Sequence, residues 1–288
     1  MIYAILYVLF TAVANLLVHI FGNSIPEMLM MFLSVSYAIM FFHSINAANI
    51  TKMYSHLVTM KREYLLLMLT IVGLWTGAFL IPIHFLPSIY LFTYMAGVGL
   101  LGSFSLLFNN KSQKYFLYIA VISSANIVLF YIFSARFYHG AQYLLMFFST
   151  ILTACFGYLY LRLSVKFNLC GFSASQVLAV RFWLFWLVLL AINLHENLFS
   201  KISVSILLES LIISATTLVI PLFCSQKSVE NIGANRTSIF YGFTPIATFI
   251  LEKIFLKDTL NYTIYFSVIL AIIVSFAAWK TMLQQSKR

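Results

Sequence analysis

Ten long apolar runs, separated by short polar loops, dominate the pattern of hydrophobic and polar positions along this 288-residue chain. A bilayer core of about 30 Å needs about 20 helical residues to cross it, and each run is close to that length. Because no run alternates with a period of two, the pattern predicts helices rather than barrel strands. The predicted spans cover residues 2–21, 26–44, 64–83, 86–108, 115–134, 138–163, 175–195, 202–224, 234–256 and 261–281.

The ten spans divide into two halves of five, residues 1–135 and 136–288. An odd number of spans per half places a repeated half upside down relative to its partner, and such inverted halves are typical of secondary transporters. Short similar stretches at corresponding places favour a repeat, since residues 80–83 match 219–222 and residues 114–118 match 261–265. The pattern therefore predicts an all-α integral membrane fold of ten helices in two inverted five-helix repeats.

Composition supports a chain embedded in lipid, because 62% of the residues are hydrophobic and 8% are charged. A soluble domain carries roughly 25% charged residues. The net charge of +10 is spread over short loops, so we expect no nucleic-acid partner. The cysteines show no CxxC spacing and no Cys/His cluster has zinc spacing, so we expect no metal and no other cofactor.

The distribution of basic residues predicts the orientation of the chain. If the N-terminus is inside, the cytoplasmic segments hold twelve Lys or Arg residues and the opposite segments hold four. This bias follows the positive-inside rule, so both termini are predicted to be cytoplasmic. We expect the lipid to be that of a bacterial inner membrane. The twelve residues are Lys52, Lys61, Arg62, Lys111, Lys114, Arg162, Lys166, Lys227, Arg236, Lys280, Lys287 and Arg288, and the four are Arg136, Lys201, Lys253 and Lys257.

Glu209, about a third of the way into the eighth span, is the leading candidate for coupling or substrate binding. An ionisable group inside a span is costly and is a functional candidate by default. The Glu209 carboxylate would take up a proton or bind a cationic substrate group. The alternative is a structural carboxylate, satisfied by neighbouring hydroxyls or paired with a basic side chain of another span.

Two further ionisable groups lie in or near the ends of spans. Arg181, two turns into the seventh span, would bind an anionic substrate or serve a structural role by snorkelling or pairing, and the structural role is favoured. His19, near the outer end of the first span, would titrate or gate, or lie in the partly wet interface.

A minority of the aromatic residues lie within spans beside small or polar residues, where a cavity wall is the functional interpretation and core packing is the alternative. Trp75 stands between Gly73 and Gly77, which indicates close backbone approach. An aromatic cavity that contains one carboxylate would suit an amine or a zwitterion. The candidates are Trp75, Tyr90, Tyr94, Tyr241 and, at the start of the sixth span, Gln142.

The ninth span carries a proline, Pro245, followed thirteen positions later by the acidic Asp258. This spacing resembles the signature of EamA-type members of the drug/metabolite transporter superfamily, although Lys257 stands where the family has glycine and the family acid is usually glutamate. Arg181 is similar to the single arginine near the start of the second helix of each family repeat. The first half departs from this pattern, because the second span has no arginine and the fourth ends without an acidic residue.

The resemblance implies a substrate cavity lined by spans 3, 4, 8 and 9 and gated by spans 1 and 6. It also implies that Arg181, Pro245 and Asp258 are structural rather than ligands. Glu209 lies outside the family signature, so it is a candidate for what is particular to this chain.

These observations predict a secondary-active transporter rather than an enzyme, most simply an exporter of a small polar metabolite or an amphipathic amine or amino acid. Proton exchange is a plausible driving force, and no Walker A pattern is present. One alternative is uptake or antiport of a phosphorylated metabolite or nucleotide sugar. The other is a polytopic membrane transferase, which needs clustered His, Asp or Glu near an interface.

Overall fold

A computed structural model describes residues 2–22, 24–108, 140–232 and 242–255, together with Ser124, Val128 and Tyr131. The regular elements that the chain forms over these residues are helices. In lipid, helices satisfy their own backbone hydrogen bonds, which explains why the long apolar runs adopt this conformation. The helices are α1 (Ile2–Gly22), α2 (Glu27–Ile45), α3 (Ile50–Thr59), α4 (Lys61–His84), α5 (Pro87–Phe108), α6 (Ala141–Leu169), α7 (Ala174–Val180), α8 (Trp183–His195), α9 (Val204–Ile213), α10 (Ile220–Ile232) and α11 (Thr244–Phe255).

Six helical segments within the described residues are long and apolar enough to cross a membrane. Two of them join helices: α7 and α8 form one segment, and α9 and α10 form another. These segments confirm the predicted fold class, an all-α membrane chain. The predicted spans 115–134 and 261–281 lie outside the described residues, apart from three isolated positions. The six segments are Ile2–Gly22, Glu27–Ile45, Lys61–His84, Leu144–Leu169, Ala174–His195 and Val204–Asn231.

The segment that contains α9 and α10 differs from the predicted eighth span in two ways. It includes a π-helical stretch, Ser214–Val219, and it continues to Ile232 rather than ending near residue 224. Pro221 therefore lies inside this segment, whereas Pro82 lies in the last turn of α4. The matched motifs of the two halves thus occupy different places within their helices.

Helix α3 was not among the predicted spans. Its ten residues extend about 15 Å, half of a bilayer core, so it does not cross a membrane. Met53 and Leu57, one turn apart, are its buried residues. Tyr54 on α3 accepts a 2.7 Å hydrogen bond from Trp183 Nε1 and contacts His43 Nε2 at 2.8 Å. Burial raises the pKa of the Tyr54 hydroxyl, and the bond from Trp183 offsets part of that increase.

Serine side chains join α2 to the segment Val204–Asn231, which we call the eighth-span segment. Ser34 Oγ donates to the carbonyl of Ser210 at 3.2 Å, and Ser214 Oγ donates to the carbonyl of Ser34 at 2.7 Å. All three residues are fully buried. Hydrogen bonds between helices of this kind hold membrane helices together where no hydrophobic driving force acts.

Helix α6 packs against both α4 and α5. Its approach to α4 depends on two glycines, because a Cβ at Gly73 would overlap the ring of Phe156 and a Cβ at Gly77 would overlap Thr153. This confirms the close backbone approach expected around Trp75. The contact aligns the middle of α4 with the middle of α6.

We expect Gly77→Leu to destabilise the protein by about 2 kcal/mol or more, because overpacking a close helix contact costs on that order. The measurement is the apparent melting temperature of the detergent-purified protein. Ala141→Leu, which adds comparable bulk at an exposed position of α6, is the matched control. Equal melting temperatures for the two variants would contradict the α4–α6 contact.

Candidate functional site

A cavity of about 100 Å³ lies between α1, α4, α5, α6 and the segment that contains the π-helical stretch. Its wall is mainly apolar, includes five aromatic side chains, and carries hydroxyl and amide groups. The described residues that line it include no charged side chain. The polar and aromatic lining residues are Tyr7, Thr11, Asn15, Trp75, Tyr90, Tyr94, Tyr160, Thr217 and Ser225.

Helical spacing brings these side chains to one place. Tyr7, Thr11 and Asn15 are four residues apart on α1, so they form one stripe along its face. Tyr90 and Tyr94 repeat the same spacing on α5, with ring centroids 5.8 Å apart. Helices α1 and α5 therefore each contribute a narrow strip of polar or aromatic side chains to the cavity.

A glycine allows α5 and α6 to meet at the cavity wall. A Cβ at Gly157 would collide with the hydroxyl and ring of Tyr94. Because glycine has no side chain, the ring and hydroxyl of Tyr94 can lie directly against the α6 backbone at this position. The shape of the cavity near Tyr94 thus depends on this position.

Three side-chain groups in the wall are unsatisfied. Thr11 Oγ1, Trp75 Nε1 and Thr217 Oγ1 are buried and have no hydrogen-bond partner among the described residues. Buried polar atoms without a partner are uncommon and call for an explanation, such as a ligand or ordered water. Thr217 lies in the π-helical stretch, and single π turns inside helices occur often at functional sites. These unsatisfied groups indicate that the wall is suited to a ligand with polar groups.

A second buried polar cluster lies directly behind the wall. Arg181 is fully buried, and its Nη1 donates to Tyr160 Oη. The Gln226 side-chain nitrogen donates to Tyr160 Oη at 2.6 Å and to Ser164 Oγ at 2.9 Å. The guanidinium carbon lies 5.0 Å from the ring centroid of Tyr160 and 4.5 Å from that of Phe182. Tyr160 belongs to both the cluster and the cavity wall.

The helix is interrupted at the cluster. Arg181 and Phe182 form the turn between α7 and α8, and the carbonyl of Val180 accepts a 3.1 Å hydrogen bond from Tyr64 Oη. Such external bonds replace the partners that an interrupted helix leaves without a backbone bond. The interruption thus places Arg181 in a turn where its side chain is fully buried.

The cavity brings together three of the residues singled out from sequence, Trp75, Tyr90 and Tyr94. Glu209 lies elsewhere, half-buried on α9, and accepts a 2.6 Å hydrogen bond from Ser205 Oγ. It does not line the cavity. Gln142 is exposed at the start of α6.

The remaining predicted residues lie away from the cavity or outside the described residues. His19 Nδ1 lies 2.6 Å from the carbonyl oxygen of Pro82, so this histidine contacts the last turn of α4. Pro245 is buried in the first turn of α11. Tyr241 and Asp258 fall outside the described residues.

The helices that line the cavity overlap only in part with those that the resemblance implies. Helix α4, α5 and the eighth-span segment contribute, as expected. Helices α1 and α6, which the resemblance assigns to gating, also contribute lining residues. The described part of the ninth span, α11, contributes none.

Sequence reasoning missed the polar strip on α1 and the cluster around Tyr160. Tyr7, Thr11 and Asn15 carry a detectable signal, since hydroxyl and amide side chains recur every four residues in an apolar run. It also missed Glu252, a buried carboxylate on α11. Glu252 Oε1 accepts a 2.7 Å hydrogen bond from the backbone N–H of Ser88, at the start of α5.

Over the described residues, the fold and the site define a helical membrane protein with an apolar cavity, partly lined by aromatic side chains, among its helices. No family model matches the chain, and no curated protein matches it in sequence. Solved structures share its fold: one, described as "Crystal structure of protein", aligns with a TM-score of 0.66 over 100% of this chain and 98% of that chain, at 14% identity. A likeness at this identity shows the fold alone.

We expect Glu252→Ala to loosen the start of α5, because the first backbone N–H groups of a helix lack partners within the helix and Glu252 supplies one. The loss should be about 1–3 kcal/mol, the cost of leaving a buried donor unsatisfied. The measurement is faster deuterium uptake by a peptide that covers residues 87–95.

Two variants control this experiment. Glu252→Gln keeps an acceptor oxygen and should protect the same peptide better than Glu252→Ala. Glu209→Ala removes a carboxylate from α9 and should leave uptake at the start of α5 unchanged. Unaltered uptake in Glu252→Ala would contradict the assigned contact.

Proposed function

We propose that this chain is a secondary membrane transporter that moves a small amphipathic metabolite by alternating access. The observation that carries the proposal is a buried aromatic cavity whose wall leaves Trp75 Nε1 and Thr217 Oγ1 without partners among the described residues. A ligand with an apolar body and a polar group would satisfy both properties of that wall.

The position of the cavity also supports transport. Helices α1, α4 and α5 belong to residues 1–135, whereas α6 and the segment with the π-helical stretch belong to residues 136–288. Both proposed halves therefore contribute to one wall. Substrate sites of secondary transporters lie at the interface between such repeats, where rocking of one half against the other exposes the site to each side in turn.

The proposal includes the finer features that the sequence favours. The chain has ten spans in two inverted halves, belongs to the drug/metabolite transporter superfamily, and exports its substrate across a bacterial inner membrane with both termini in the cytoplasm. The bias of twelve basic residues against four supports the orientation. The partners are the small-molecule substrate, membrane lipid and, where coupling is by exchange, protons.

The structure bears on the nature of the substrate. The amine hypothesis depended on a carboxylate in the cavity, and Glu209 does not line it. Phosphorylated metabolites and nucleotide sugars need several basic residues at the site, and the described lining contains none. A substrate with low net charge fits this wall best.

We expect Trp75→Leu to lower export about tenfold or more, because it removes both the indole donor and a large part of the aromatic wall. The experiment compares, by mass spectrometry, the metabolites in the medium of cells that overexpress the wild type or the variant. Trp186→Leu is the matched control: it makes the same change at a tryptophan bonded to Ser36, outside the cavity. Equal export by all three proteins would contradict the cavity as the substrate site.

The compound found in this way then serves for flux measurements with purified protein in proteoliposomes. Transport leaves the compound chemically unchanged, whereas a membrane transferase yields a covalent product of different mass. In the same assay, proton coupling through Glu209 predicts that Glu209→Gln abolishes the pH-driven part of the flux. Wild-type pH dependence in this variant would remove Glu209 from the mechanism.

A further inference from the structure

Arg181 is a buried cation without an acidic partner among the described residues. Its side chain has no exposed surface. Lys166–Glu63 and Lys227–Glu230 form ion pairs and His84 contacts Glu27, and none of these contacts involves Arg181. A charge buried without a counterion is costly, and within a membrane-spanning segment it marks a functional site by default.

The neutral contacts of Arg181 leave much of its donor capacity unused. Only Nη1 has a hydrogen-bond partner, Tyr160, whereas Nε and Nη2 have none among the described residues. The rings of Tyr160 and Phe182 provide cation–π contacts, which stabilise a charge without neutralising it. An anion nearby would supply the missing compensation.

Tyr160 connects the charge of Arg181 to the cavity, because it contacts both. Its hydroxyl oxygen accepts from Arg181 Nη1 and from the Gln226 side-chain nitrogen, so its own hydrogen remains to be donated. The residue lines the cavity, as does Ser225, the neighbour of Gln226. A ligand atom that accepts a hydrogen bond from the Tyr160 hydroxyl is therefore stabilised by the positive charge of the Arg181 guanidinium.

We propose that the substrate carries a single carboxylate, which binds at the Tyr160 end of the cavity opposite the charge of Arg181. Its apolar or aromatic body then lies against Trp75, Tyr90 and Tyr94. One guanidinium balances one negative charge, and no basic side chain among the described lining residues would balance a second. Arg181 is thus a specificity-determining residue that acts through Tyr160. The inference rests on the proposed function in taking this cavity as the substrate site.

The test uses three probes that share a phenyl body and differ in charge: phenylacetate, phenylacetamide and 2-phenylethylamine. Their affinities for the full-length protein in lipid nanodiscs are measured by calorimetric titration. We expect the wild type to bind phenylacetate about tenfold or more tightly than the amide, because charge-assisted hydrogen bonds are about twice as strong as neutral ones. The amine should bind weakest.

Variants assign the preference to the cluster. Arg181→Gln should bring phenylacetate to the affinity of the amide, and Tyr160→Phe should weaken phenylacetate about tenfold while changing the amide less. Binding of the amide reports that each variant is folded. Arg162→Gln, which removes an exposed charge from α6, is the matched control and should keep the preference for the acid.

The proposal is overturned if the wild type binds the amide or the amine as tightly as the acid, or binds none of the three. It is also overturned if either Arg181→Gln or Tyr160→Phe keeps the wild-type preference. Equilibrium binding needs no flux, so acid preference without transport contradicts the proposed function alone. Transport of neutral or cationic compounds, in turn, contradicts this inference alone.

Discussion

The absence of water inside an apolar helical assembly is the constraint on which this structure depends. Every polar group placed there must find a partner in the protein or in a ligand. Between α2 and the eighth-span segment, Ser34 meets the requirement by exchanging hydrogen bonds with Ser210 and Ser214. Around the cavity it is not met, because Trp75 Nε1, Thr217 Oγ1 and two nitrogens of Arg181 lack partners among the described residues. Unsatisfied groups such as Ser210 Oγ and Asn193 Oδ1 also lie elsewhere among the described residues, so the cavity is distinguished by having several of them in one wall.

The same constraint explains which parts of the fold follow from sequence. A helix that crosses lipid needs a minimum apolar length, so α1 (Ile2–Gly22) and α2 (Glu27–Ile45) begin and end within one residue of the predicted spans 2–21 and 26–44. Features that depend on neighbouring helices were not predicted. The π-helical stretch and the interruption at Arg181 have no signature in hydrophobic length, and at the interruption Tyr64 of α4 bonds the carbonyl of Val180.

The candidate site was predicted in part for a related reason. Trp75 lies beside two glycines that allow α6 to approach, so the sequence around it indicated a close helix contact. Glu209 is as conspicuous in sequence, yet Ser205 one turn earlier satisfies it on α9 and it does not reach the cavity. Sequence shows that a carboxylate is in a span but does not show which face it occupies. Arg181 was interpreted as structural, and its burial behind Tyr160 is visible only in three dimensions.

The central claim is that the cavity opens in turn to the two sides of a membrane. The most direct measurement places a single cysteine at Ala78, a small lining residue, after replacement of Cys155, Cys170 and Cys224. A membrane-impermeant maleimide is then applied to right-side-out and to inside-out vesicles, with a cysteine at Leu152, exposed on the outer surface of α6, as the control. The account predicts that the Ala78 position reacts from both sides and the Leu152 position from neither. Reaction at the Ala78 position from one side alone, or from neither side, would contradict it.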